Sequence, residues 1–289
     1  MQHAASPMAP PMSVPLLLAS LSVAAACPVR SGTKVVVFSD VQAGTGKYSA
    51  QWERHFWNWW ATNATDVPAH QFIDAAGIKS CSASQLLAAG TVMIPGGNAY
   101  TYTENLGLSV KRELTKFVQG GGLYIGTCAG WYYSSSGYYW EYSTGWSDAG
   151  YWHYPALLGI FGATVEGSIT DIADEETGQG VFNGHALTRL SNGHKAIYYG
   201  GPTMGWKQTA ESDKPDGSEV LARFADVGNS TGSAPPSIMR MRGAGSRVLV
   251  FSVHLEAYEG IGVSELPTAD REANYMLRKA LISAEMEMK

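Results

Sequence analysis

The sequence predicts an α/β fold with a mostly parallel central sheet and helices on both faces. Three observations carry that reading. Short runs of β-branched and apolar residues alternate with helical segments from residue 34 to residue 130, the pattern of parallel strands joined by crossover helices. Of 289 residues, 45% are hydrophobic and 16% charged, enough for one sizeable core. Glycines punctuate the element ends, as in Gly120-Gly121-Gly122.

The elements follow in order. Lys34-Val35-Val36-Val37-Phe38 is a buried strand. From Ser49 to Ala61, Trp52, Phe56, Trp59 and Trp60 recur at helical spacing. His70 to Asp74 is the second strand, a short helix runs through Gln85-Leu86-Leu87, and Thr91-Val92-Met93-Ile94 is the third strand. Leu106, Val110, Leu114, Phe117 and Val118 form one face of a helix, and Leu123 to Gly126 is the fourth strand. Beyond residue 131 the pattern loosens. Strands are expected at 196–199 and 219–224, and a hairpin over 237–242 and 247–253. Polar loops are expected at 171–180 and 208–218, and a closing helix at 269–284.

Residues 1–27 read as a leader, because the apolar run Leu16 to Ala26 is too short to span a bilayer and ends in small residues. Residues 28–289 then form a single domain with an aromatic-rich insertion at about 131–155, and a secreted or extracytoplasmic location is expected. No other segment is apolar enough to cross a membrane. The net charge is −5 with no basic run, which argues against nucleic acid as a partner. No cofactor and no metal site is expected. Of the three cysteines, either Cys27 pairs with Cys81 and leaves Cys128 free, or all three are thiols.

The chemistry centres on Gly126-Thr127-Cys128-Ala129-Gly130, at the end of the fourth strand. Gly-x-Cys-x-Gly has the form of a nucleophile elbow, whose tight strand–helix turn demands small flanking residues. A cysteine nucleophile needs a base and a group to orient that base. His254 is the histidine with a carboxylate at useful spacing, since Glu256 lies two residues on and shares its exposed face if both extend a strand. Ala129 and either Gly96 or Gly97, in the loop after the third strand, are the expected oxyanion-hole donors. Asp40, after the first strand, and Glu141 are weaker pocket candidates. Trp131, Tyr132 and the further rings up to Tyr154 would wall the cleft, which suits a small-molecule, peptide or sugar-like substrate.

Ile94-Pro95-Gly96-Gly97, Phe117 to Gly130, Tyr199-Gly200-Gly201-Pro202 and Val253-His254-Leu255-Glu256 together resemble the class I glutamine amidotransferase superfamily. More narrowly, they are similar to the biotin–protein ligase N-terminal domain family. The resemblance implies a flavodoxin-like three-layer fold and a triad of Cys128, His254 and Glu256, and it brings Gly200 and Gly201 to the pocket. Leu255 stands where the superfamily usually has proline. The glutamine-pocket motif that follows the nucleophile in true amidotransferases is replaced by Trp131-Tyr132-Tyr133. The leading expectation is therefore a cysteine-dependent hydrolase or amidase acting on an amide or ester. The alternative is a non-catalytic binding module with an aromatic ligand surface, and a redox or aldehyde-handling protein that uses Cys128 as a reactive thiol ranks third.

Overall fold

The first strand, β1 (Val35–Phe38), is buried at every residue, as a continuous apolar run in a parallel sheet should be. The computed structural model describes residues 26–141, 151–155, 157–173, 186–228, 233–243, 245–258 and 266–288. After β1 come α1 (Lys47–Asn63), β2 (His70–Ile73), α2 (Ala75–Lys79), α3 (Ala83–Ala89), β3 (Thr91–Ile94), α4 (Ala99–Gln119), β4 (Leu123–Thr127) and α5 (Ala129–Ser134). The chain continues through β5 (Gly137–Glu141), β6 (Tyr151–Pro155), β7 (Thr164–Gly167), β8 (Ala186–Arg189) and β9 (Lys195–Tyr198). It then forms β10 (Ser218–Arg223), β11 (Pro236–Gly243), β12 (Ser246–Phe251), β13 (Val253–His254) and α6 (Thr268–Glu287).

The main sheet has the order β10-β11-β12-β4-β3-β1-β2. Strands from β2 to β12 run parallel, β11 runs opposite to them, and β10 pairs antiparallel with β11 at the edge. With β12 as the fifth parallel strand, the order β2-β1-β3-β4-β12 is the flavodoxin-like arrangement, in which ligands gather beyond the carboxyl ends of the strands. Alternation along each strand feeds two cores. Val36, Phe38, Val92, Ile94 and Tyr124 pack against Leu106, Val110, Leu114 and Phe117 of α4. Val35, Val37, Met93, Leu123 and Ile125 pack against Phe56, Trp57 and Trp60 of α1 and Tyr275 and Ile282 of α6. Three layers result.

The seven predicted elements from β1 to β4 are present at their expected places. Their signals are local, down to the Ser82–Gln85 capping box of α3. Beyond residue 131 the sequence reading missed more. Two small sheets, β6-β5-β7 and β13-β9-β8, accompany the main one, and none of the four strands β5 to β8 was expected. Within the expected loop 208–218 lies a short 3-10 turn over Glu211–Asp213. The expected strand 247–253 is broken at Ser252. Val253–His254 leaves the main sheet and pairs with β9 instead.

Cys27 and Cys81 form a disulfide and Cys128 is a free thiol. The expected leader lies outside the described residues up to position 25. Among the described residues, no helix is long and apolar enough to cross a membrane.

Candidate active site

Strand β4 ends at Thr127 and α5 begins at Ala129, so a single residue, Cys128, makes the turn. Its backbone has φ 51° and ψ −109°, and it is the one non-glycine residue with positive φ among the described residues. Such a conformation costs on the order of 1–3 kcal/mol and persists where the surroundings over-determine it. They do so here: the Cys128 amide donates to Phe251 O at 2.7 Å, and the Cys128 carbonyl accepts from Trp131 N and Tyr132 N. The flanking glycines are sterically required. A Cβ on Gly126 would sit 2.7 Å from the Gly130 backbone, and one on Gly130 would sit 2.0 Å from Ile94 O. The thiol is 5% exposed and donates to Tyr199 O at 3.2 Å.

His254, which has Cys128 as a neighbour, and Glu256 are both fully buried. His254 Nδ1 is 2.7 Å from Glu256 Oε1, which leaves Nε2 as the ring's second nitrogen, without a hydrogen-bond partner. The imidazole is T-shaped to Trp52, with centroids 5.2 Å apart. Gly96 allows the ring this close, because a Cβ there would meet His254 Cε1 at 2.5 Å. The expected shared exposed face is corrected. Neither side chain reaches solvent, and Glu256 belongs to the turn after β13 rather than to a strand. The turn, not the pleat, brings the carboxylate to the ring.

Electrostatics favour an ionised pair. Burial works against a charged imidazole, but the Glu256 charge, the neighbouring Cys128 sulfur and the hydrogen bond to Glu256 overcome it and raise His254 to about 10. Burial likewise opposes ionisation of Glu256, and Arg278 and His254 reverse this to hold it below the ordinary carboxylate range. Arg278 of α6 pairs with the second oxygen of Glu256 and with Glu53 of α1, the latter at 2.5 Å.

An open cleft of about 830 Å³ lies above the thiol. Its floor includes Cys128, Ala129 and Gly97. The start of α1, at Gly46 to Ser49, and the start of α4, at Asn98 to Tyr100, line it as well. Tyr132, Tyr138, Trp140 and Tyr154 form an aromatic wall, and Tyr199 and Gly200 border the cleft between that wall and the thiol.

The expected site residues therefore divide. Cys128, Ala129, Gly97, Tyr132 and Gly200 border the cleft, and His254 and Glu256 are buried outside its lining. Gly96 lies against the imidazole instead, and its carbonyl accepts from Gly46 N and the Tyr102 hydroxyl. Trp131 is not a wall residue, being fully buried edge-on against Phe161. Gly201 lies outside the lining and packs so tightly that a Cβ would meet Ser252 O at 1.9 Å. Asp40 is structural: it accepts from the amides of Gln42, Ala43 and Ala75, joining the β1 loop to α2. The side chain of Glu141 lies outside the described residues. Glu53 and Arg278 were missed. Their signal was a charged residue on the apolar face of a helix, Glu53 beside Phe56, Trp57 and Trp60, and Arg278 between Tyr275 and Ile282.

The strand order and the cysteine elbow fit the class I glutamine amidotransferase-like scaffold that the sequence motifs resemble. Residues 85–169 match the family described as biotin-protein ligase, N terminal. This biotin-protein ligase N-terminal match spans β3, α4, β4 and α5, and so contains the elbow. Among solved structures, a glutamine amidotransferase is similar at 19% identity, with 85% of this chain and 98% of the other covered and a TM-score of 0.49. PurLQS from Thermotoga maritima is similar at 12% identity, covering 88% and 99%, with a TM-score of 0.47. A ThuA-like protein from Bacteroides uniformis is similar at 10% identity, covering 88% and 92%, with a TM-score of 0.48. No curated protein sequence matches the chain.

Proposed function

We propose that the protein is a cysteine-dependent hydrolase or amidase in which Cys128 is the nucleophile, His254 the base and Glu256 the group that orients it. The observation that carries this reading is the strained Cys128 backbone. A residue forced to positive φ at a strand–helix turn, over a cleft and beside a buried His–Glu pair, has the geometry of a nucleophile elbow. His254 holds the thiol's proton as an imidazolium, and the Cys128 thiolate attacks an amide or ester carbonyl. The developing oxyanion is held by the Ala129 amide, the first of α5, which has no carbonyl partner within its helix. Gly97 is the favoured second donor, since it borders the cleft and Gly96 does not. The imidazolium then protonates the leaving amine or alcohol, and water, activated by the same ring, hydrolyses the thioester and restores the thiol. The aromatic wall supports an uncharged or ring-bearing acyl partner of small-molecule, peptide or sugar type. The Cys27–Cys81 disulfide supports an extracytoplasmic location.

The test is iodoacetamide alkylation of Cys128 in wild type and His254→Ala, followed by a screen of small amides and esters. His254→Ala is expected to slow alkylation at pH 6.5 by about tenfold, because the thiolate loses its imidazolium partner. An unchanged rate refutes the triad. The alternative, a binding module that uses the aromatic wall without turnover, then takes its place; it is favoured by the thiol's hydrogen bond to Tyr199 O rather than to the imidazole.

A further inference from the structure

We propose that Arg278 and Glu53 are positioning residues that hold Glu256, and through it the His254 imidazole, in register with Cys128; the inference rests on the triad proposed above. The two oxygens of Glu256 face different neighbours. Oε1 is 2.7 Å from His254 Nδ1, and Oε2 is ion-paired with Arg278 Nη1 without hydrogen-bond geometry. The other arm of the guanidinium, Nη2, donates to Glu53 Oε1 at 2.5 Å and lies 3.3 Å from Thr127 Oγ1, on the residue that precedes the nucleophile. The guanidinium also lies over the rings of Phe56 and Phe251, at 4.9 and 5.6 Å. One planar cation thus ties together α1, the end of β4, the turn that carries Glu256, and α6.

This arrangement is poorly explained by stability alone. Glu53, Glu256, Arg278, His254 and Thr127 are all fully buried. A buried ion cluster is costly to desolvate, and apolar side chains of similar volume would often serve the fold as well or better. What the cluster supplies is direction. A carboxylate held only by an imidazole is free to turn about its terminal bond, whereas a planar guanidinium anchored through Nη2 on Glu53 and Thr127 keeps a fixed cation on the Oε2 side of Glu256. The charges also divide the labour. Burial and the neighbouring Glu256 push Glu53 up to about 7 against the pull of Arg278 and His254, so Glu256 is the carboxylate kept ionised opposite the imidazole. The other groups facing this cluster are Tyr102 of α4, Tyr275 of α6 and the Met93 sulfur of β3.

The experiment uses the full chain. It measures Cys128 alkylation by iodoacetamide at pH 6.5 and the low-field proton signal of the His254 Nδ1–H, with thermal melts to establish folding. Arg278→Lys keeps the charge and loses the fork. It is expected to slow alkylation by about tenfold and to remove the low-field signal. Glu53→Gln retains the acceptor for Arg278 and is expected to keep both readouts, whereas Glu53→Ala loses them. A folded Arg278→Lys with wild-type rate and signal overturns the inference. If Arg278→Lys does not fold, a Glu53→Ala protein indistinguishable from Glu53→Gln overturns it. His254→Ala separates the two readings. Slow alkylation there with unchanged Arg278→Lys and Glu53→Ala refutes the positioning role alone, and unchanged alkylation there refutes the triad.

Discussion

Gly96→Ala adds one methyl group at the position where the structure can least accept it. The new Cβ would lie 2.5 Å from His254 Cε1 and 2.6 Å from Ser49 Oγ. Carbon atoms come to rest at about 3.5–4.0 Å, so the imidazole must retreat by about 1 Å. It cannot do so freely, because Trp52 packs on the ring at 5.2 Å and Glu256 holds Nδ1. The strain should cost about 1–3 kcal/mol of stability. Under the proposed triad the displacement should cost more in function, since misplacing a reacting group by about 1 Å can slow a reaction by roughly 100-fold. The assay is the rate of Cys128 alkylation by iodoacetamide at pH 6.5, with a thermal melt on the same sample. Gly228→Ala is the control, as nothing lies within 4 Å of a Cβ there. A Gly96→Ala protein that reacts within about threefold of wild type would mean that the imidazole does not govern the thiol.

The Cys27–Cys81 disulfide closes a separation of 54 residues, for which chain entropy predicts about 4 kcal/mol of stabilisation. Reduction, or a Cys27→Ser/Cys81→Ser double substitution, should lower the melting temperature by about 8–16 °C; an unchanged melt rules the bond out. Protonation of the buried cluster should make the fold pH-sensitive. Glu53 is raised from 4.5 to about 7 by burial, so its contribution is full below pH 4.5 and is lost as pH rises through 7. His254, raised from 6.5 to about 10 despite burial, contributes fully below 6.5 and loses that as pH rises through 10. In melts from pH 4.5 to 8, Glu53→Gln should therefore show a shallower fall than wild type, and parallel curves would contradict the assignment. Tyr132→Phe removes the hydroxyl that donates to Gly200 O at 3.0 Å. It should cost about 1 kcal/mol in a melt while leaving alkylation unchanged, and slowed alkylation would show that this wall residue acts on the thiol itself.

The amino-acid sequence by itself determined the first half of the fold and the tight strand–helix turn at Cys128. The signals there are local: the apolar run of β1, the helical stripe of α4 from Leu106 to Val118, and two glycines that flank a cysteine at a strand end. Each acts over a few residues, where propensity, periodicity and steric exclusion decide the outcome. Even the His254–Glu256 spacing was legible, although the turn that makes it effective was not. Tertiary structure alone decided which neighbours those residues acquire. Gly96 and Gly97 are adjacent in sequence, yet one presses on the imidazole and the other opens to the cleft, because the loop is held between α1 and β13. Trp131 and Tyr132 likewise separate into core and wall. Glu53 and Arg278 stand 225 residues apart and meet only when α1 and α6 cover the same face of the sheet. A buried charge reads in a sequence as a break in an apolar pattern, and its partner is chosen by the packing of distant elements.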